Sequence, residues 1–264
     1  MTHYFKIAVI GLVVFLSSCE KVINIDLESN EPLIMIEGVV TDDPTIPSTV
    51  KITKSVNFSE SNNFPAVSNA DVTILDDLGN AFVLSETSPG VYQNSSLVGV
   101  SGRTYYLTVY IDGKTYTSVS KMPQNVNLDT ISVGEGMGPG AEDLKSITPV
   151  YTDPVGKGNY YRFKLKKNSE MSSSILLADD QAVDGGTNNT SLFDQNLEFK
   201  VGDTAVVTMM CIDKPVHLYF YSLNQNGSGP GASATPANPV TNIEGATLGY
   251  FSAQTIQTKQ VVIQ

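Results

Sequence analysis

Few side chains in this sequence can act as nucleophiles, metal ligands or acid–base groups. The chain has two cysteines, Cys19 and Cys211, and two histidines, His3 and His217. A serine or cysteine nucleophile needs a base that is itself oriented by a third group, and no such motif surrounds either histidine. Beyond residue 18 only Cys211 and His217 remain as soft ligands once Cys19 is set aside, so a multi-histidine zinc site is arithmetically excluded. Acidic pairs occur at Asp42-Asp43, Asp76-Asp77, Glu142-Asp143 and Asp179-Asp180. Two carboxylates facing each other across a cleft can hydrolyse a glycoside, but adjacent acids in turns read as solvated turn residues. Asp180, Asp184 and Gly185 are spaced somewhat like a calcium loop, yet Ala182 interrupts the pattern and no glutamate closes it. No phosphate-binding glycine loop, Walker signature or G-x-S-x-G elbow is present. The expectation is a protein with no catalytic residue, no metal and no cofactor, hence not an enzyme. A hydrolase using acidic residues is the remote alternative.

Cys19 is placed for a different chemistry. Lys6 precedes Ile7 to Leu16, ten apolar or small residues, and Leu16-Ser17-Ser18-Cys19 follows directly. A membrane span needs about 20 apolar residues, so this run reads as a secretory leader. The L-S-S-C order resembles the lipobox of bacterial lipoproteins. That resemblance implies removal of residues 1–18, a diacylglycerol on the Cys19 thiol and an acylated N-terminus. One acyl chain holds a protein only marginally, whereas two or three anchor it durably. Cys211 would then have no partner for a disulfide, and within AVVTMMCI (205–212) it reads as a small buried hydrophobe. The formal charge of −11 argues against nucleic acid and against anionic membrane surfaces. The absence of Trp weakens the case for a sugar-stacking lectin, although twelve Tyr could substitute.

These residues must be positioned by β structure. Residues 19–32 read as a polar tether. Leu33 to Val40 begins the order, and Val50, Ile52, Val56 and Phe58 then share one face of a period-2 pattern. Val72–Leu75 and Phe82–Leu84 flank a turn at Asp76–Asn80, and Ser88-Pro89-Gly90 turns the chain into Val91-Tyr92. Tyr105, Leu107, Val109 and Ile111 alternate up to Asp112-Gly113, a strong hairpin signal, and Thr115 to Val119 returns. Short strands punctuated this often predict a sandwich. The pattern resembles immunoglobulin-like and carboxypeptidase-regulatory-like domains, and residues 33–123 are assigned to such a module.

Residues 128–264 read as a second β-rich module with one short helix. Gly134 to Gly140 forms a loop at the seam, after a strand begun by Leu128–Val133. Tyr161, Phe163 and Leu165 alternate with Arg162, Lys164 and Lys166, which together with Lys167 read as the wet side of a strand. Leu197–Val201 and Thr204–Ile212 are expected strands joined by a Gly202-Asp203 turn. Val216, Tyr219, Phe220 and Leu223 stand at helical spacing, with Asp213 as N-cap, Pro215 in the first turn and Gly227 near the end; strict alternation also fits this stretch. His217 reads as packed beside Tyr219 and Tyr221. Residues 224–242 form a long Gly/Pro/Ser/Asn-rich loop, a type that is often functional.

The segments CEKVINIDL, LIMIEGVVTDDP, ADVTILDDLGN, GVYQN, GRTYYLTVYIDGKTYTSVSKMP and NPVTNIEGATLGYFSA together resemble the domain of unknown function 4249 family, outer-membrane lipoproteins of Bacteroidota. The resemblance covers nearly all of the mature chain and is weakest over residues 134–190. It implies an outer-membrane, surface-exposed lipoprotein, lipidated at Cys19, often encoded beside a TonB-dependent transporter. It carries no established catalytic residue. The expected role is a non-enzymatic accessory or ligand-binding partner of such a transporter, with a surface structural or adhesive module as the alternative. Asn242, Tyr250 and Phe251 are the candidate partner contacts. Asp129-Thr130-Ile131 and Asp203-Thr204-Ala205 resemble the O-glycosylation signal of that phylum, which makes Thr130 and Thr204 candidate modification sites.

Overall fold

Alternation of buried and exposed side chains accounts for most of the strands. The computed structural model describes residues 32–56, 63–136, 140–181, 183–227, 238–245 and 248–264. Cys19, the leader, the tether, Phe58 and most of the 224–242 loop lie outside the described residues. The strands are β1 (Ile34–Thr41), β2 (Ser48–Lys54), β3 (Asp71–Asp76), β4 (Ala81–Ser88), β5 (Val91–Asn94), β6 (Thr104–Ile111) and β7 (Lys114–Lys121). Then come β8 (Thr130–Glu135), β9 (Lys145–Val150), β10 (Tyr160–Lys167), β11 (Glu170–Met171), β12 (Leu176–Asp179) and β13 (Thr204–Ile212). One helix, α1 (Lys214–Gly227), precedes β14 (Ile243–Glu244) and β15 (Leu248–Val262). Among the described residues the protein is therefore mainly β with one short helix, as expected.

Strands β11-β10-β13-β15-β1-β2-β5-β4-β3-β6-β7-β14 form one continuous ladder, with β12 also paired to β10, while β8 and β9 make a separate two-stranded sheet. Strand β4 pairs with both β3 and β5, and there the ladder folds over. Inward residues of β1 and β2 (Ile36, Val40, Val50, Ile52) thus meet those of β3 and β6 (Val72, Ile74, Leu107, Val109) in one core. The β6–β7 hairpin turns on Asp112 (φ 50°) and Gly113 (φ 77°), the left-handed pair that its sequence demands.

A second core lies under β9, β10 and β13, around Ile147, Tyr161, Phe163, Val207 and Cys211. Cys211 is buried and unbonded to any other cysteine. On the opposite face of β10, β13 and β15, α1 lays down Val216, Tyr219 and Phe220 against Met210, Ile212 and Tyr250. The helix starts where the sequence places its cap: the Val216 amide donates to Asp213 Oδ1 at 3.1 Å. Asp213 Oδ2 accepts from the Ser120 hydroxyl (2.7 Å) and the Lys121 amide (3.1 Å), fastening the start of α1 to β7.

Strand β15 serves both cores. Its first half runs parallel to β1, with Ile36 opposite Gly249 and Gly38 opposite Phe251. Its second half runs antiparallel to β13. Gly249 adopts φ 102°, and a Cβ there would lie 1.9 Å from the Ile36 carbonyl oxygen, so only glycine fits this junction.

Two strand expectations require correction. Leu197–Val201 forms no strand, because Phe199 makes only an isolated bridge to Lys145. Turns at Asp194–Leu197 and Lys200–Asp203 close on both sides and leave too little extended backbone. Val56 lies beyond β2, which ends at Lys54.

Candidate functional site

Leu192 and Phe199 both bridge β9, at Ile147 and Lys145 respectively. Only one residue separates the two anchors on β9, whereas six separate them on the facing segment, so residues 193–198 must arch away from the sheet. The arch is held by its own turn chemistry. Asp194 Oδ1 accepts from the Asn196 amide at 2.8 Å, and Asp194 Oδ2 accepts from the Ser172 hydroxyl. The amide of Leu192 donates to the Ile147 carbonyl and that of Lys145 to the Phe199 carbonyl, each at 2.8 Å. Ser191 and Thr148 share a hydroxyl hydrogen bond of 2.7 Å beside the first anchor.

Beneath the arch is a cavity of about 280 Å³, walled mainly by Leu144, Ile147, Leu165, Leu192, Leu197 and Phe199. Phe193, 68% exposed, stands at its rim. A neighbouring cavity of about 220 Å³ shares Ser191, Leu192 and Phe193 and is completed by Pro149, Phe163 and Leu176. Three polar side chains of the first cavity, Lys145, Ser191 and Asp194, already have partners. Lys145 Nζ donates to both Glu135 carboxylate oxygens, at 2.9 and 2.7 Å. Burial pushes the Asp194 carboxyl up, but the Ser172 and Asn196 donors outweigh it and leave its pKa below the usual range. A largely apolar hollow with a few polar groups at its edge has the form of a binding site.

The residues singled out by sequence lie elsewhere. His217 is 9% exposed, its ring 4.8 Å from that of Tyr160 and stacked 6.2 Å from Tyr221. Burial holds its pKa down, with Asp179 opposing, so the imidazole is neutral at ordinary pH. Arg162 does not sit on a wet face as expected. Its guanidinium lies 3.8 Å above the Phe220 ring, under α1. Burial lowers its pKa, while Tyr250 and Glu37 act in the opposite direction. Lys164, two residues on, is exposed as expected.

Two of the acidic pairs are also not simply solvated. Asp76, 7% exposed, accepts from the Leu78 and Asn80 amides, the Asn80 side chain and Arg103. Asp180, 3% exposed, accepts from the Gly158 and Asn159 amides. Asp184 Oδ1 accepts from the Gly156 amide, so backbone donors occupy the carboxylates of the calcium-like stretch. Among the described residues no group of three or more His, Cys, Asp or Glu could hold a metal ion.

Of the three candidate partner contacts, Phe251 is 0% exposed in the first core and Tyr250 lies 9% exposed beneath α1. Neither can meet a partner in the folded chain, which corrects the expectation. The Asn242 side chain is paired with the Phe251 backbone, donating to its carbonyl (2.7 Å) and accepting from its amide (2.9 Å). Those residues form a clasp that closes the 238–244 segment onto β15. Thr130 opens β8 and is exposed, while Thr204 opens β13 and is half-buried.

The family model described as Domain of unknown function (DUF4249) matches residues 20–260. The chain belongs to that family. No curated protein matches it. In this DUF4249 protein the arch is what sequence reading missed. Its signal was Phe193-Asp194-Gln195-Asn196, an exposed aromatic followed by turn-forming residues between half-buried Leu192 and buried Leu197.

Proposed function

We propose that this DUF4249 protein is a lipid-anchored outer-membrane lipoprotein, exposed at the cell surface, that captures a ligand as a non-enzymatic accessory of a TonB-dependent transporter. The observation that carries the binding role is the apolar cavity under the 193–198 arch, where Asp194 holds the arch in shape through Asn196 and Ser172. Catalysis would call for groups poised toward a substrate, whereas this lining is suited to holding one. Leu16-Ser17-Ser18-Cys19 supports the anchor, with Cys19 carrying the acyl chains. Thr130 and Thr204 are the proposed O-glycan acceptors, and Thr130 is the more accessible.

A second reading, a structural or adhesive surface module, is favoured by one other observation. The outer face of β3, β4, β6 and β7 exposes Leu75, Val83, Tyr106, Tyr110 and Val119, with Leu75, Tyr106 and Val119 directly opposite one another across three strands. Exposed apolar faces of this kind suit protein contacts.

The test is gentle extraction of the native protein from outer membrane after chemical crosslinking, followed by intact-mass measurement. A β-barrel transporter crosslinked to a chain that begins at acylated Cys19 is the expected result. An unacylated chain, or repeated recovery without any transporter, would overturn the proposal. Loss of cell attachment with normal nutrient uptake in a deletion strain would favour the second reading.

A further inference from the structure

We infer that the cavity beneath the 193–198 arch selects small, uncharged apolar molecules and rejects anions, including fatty acids and phosphorylated compounds. The inference deepens the reading of that cavity as a ligand site and rests on it. Size sets the first limit. An apolar cavity of about 150 Å³ accommodates one benzene ring, so about 280 Å³ suits an aromatic of two or three rings or a medium-length aliphatic molecule. The neighbouring cavity of about 220 Å³ shares Ser191, Leu192 and Phe193 with it.

Charge sets the second limit. Among the described residues the one cation in the lining, Lys145, has its ammonium bridged by both oxygens of Glu135. The lining also contains Asp194, held ionised by its donors, and the exposed Glu198. A ligand therefore meets net negative charge at the rim and an apolar interior. An anion would be repelled by Asp194 and Glu198, and could engage Lys145 only by displacing Glu135. An uncharged apolar molecule faces neither penalty. Phe193 supplies an aromatic surface at the mouth, where a ring could stack as it enters.

The test uses the full chain carrying Cys19→Ser, so that no acyl chain competes, and two fluorescent probes of similar size. One is neutral, N-phenyl-1-naphthylamine; the other is anionic, 8-anilinonaphthalene-1-sulfonate. Saturable binding of the neutral probe is expected, with the anionic probe at least ten-fold weaker. Phe193→Asp should weaken the neutral probe ten-fold or more, whereas Val83→Asp, on the exposed sheet face, should leave it unchanged. Phe193→Trp should retain binding and, because the chain has no other tryptophan, lose its emission to the bound probe by energy transfer. Equal binding of both probes, no saturable neutral binding, or no effect of Phe193→Asp would overturn the inference. So would Val83→Asp weakening binding as much as Phe193→Asp. These titrations contain no membrane and no transporter, so their outcome is independent of the crosslinking result.

Discussion

At the scale of single residues, the acidic side chains of this protein mainly organise loops. Asp76 is the clearest case, since one carboxylate gathers two backbone amides, an asparagine side chain and Arg103. The Asn80 side-chain donor, followed by the Asn80 and Leu78 amides and then Arg103, holds its pKa below the ordinary value against the opposing effect of burial. A carboxylate with a depressed folded-state pKa stabilises the fold above its unfolded value, about 3.9, and loses that contribution as pH falls through the folded value. Asp76→Asn should therefore be less stable than the parent near neutrality, and the difference should shrink as pH drops below about 4. Urea midpoints measured from pH 6 down to pH 3 would show the two curves converging. A constant gap across that range would contradict the assignment.

At the scale of elements, α1 depends on one side chain at its start. Asp213 caps the helix and also receives two donors from β7. Loss of an N-cap costs about 1 kcal/mol, and up to about 2 in tightly held cases; Asp213→Ala should fall at the upper end because the Ser120 and Lys121 donors lose their acceptor too. Chemical denaturation with far-UV circular dichroism gives the number, and a change under about 0.5 kcal/mol would show that the cap is dispensable. This helix was legible from sequence because Asp213, Pro215 and the Val216–Tyr219–Phe220–Leu223 spacing act together. The hairpin at Asp112-Gly113 was legible for a similar reason, since few residues accept its backbone angles. The 193–198 arch was not, because Leu197 and Phe199 alternate like a strand whether or not a neighbour pairs with them. Arg162 was misread for a related reason. Alternation marks which face of the sheet it occupies, but not that a helix arriving some fifty residues later covers that face with Phe220. Tyr250 and Phe251 show the same limit, because a string of aromatic residues does not reveal that both faces of its strand are covered.

At the scale of the whole molecule, β15 joins the two β-rich halves, and Gly249 is its tightest point. Replacing Gly249 by alanine would drive a methyl group into the Ile36 carbonyl at a backbone angle that side chains rarely adopt. Gly249→Ala should abolish soluble, folded protein, whereas Gly113→Ala, at a turn with open space around it, should remain foldable. Comparing soluble yield and cooperative melting of the two variants tests this, and a well-folded Gly249→Ala protein would contradict the described register. The first residues of β1 have no partner on one side until β15 arrives. The amide of Ile256 donates to Asp42, 214 residues earlier, and the parallel pairing joins positions comparably far apart. Contacts of such separation are slow to form. A nascent chain threaded N-terminus first through a secretion channel would hold its opening strands incomplete until residues 248–262 had emerged. The position of that one strand would thus delay folding during synthesis, and under the proposed export it would keep the chain in a translocatable, unfolded form.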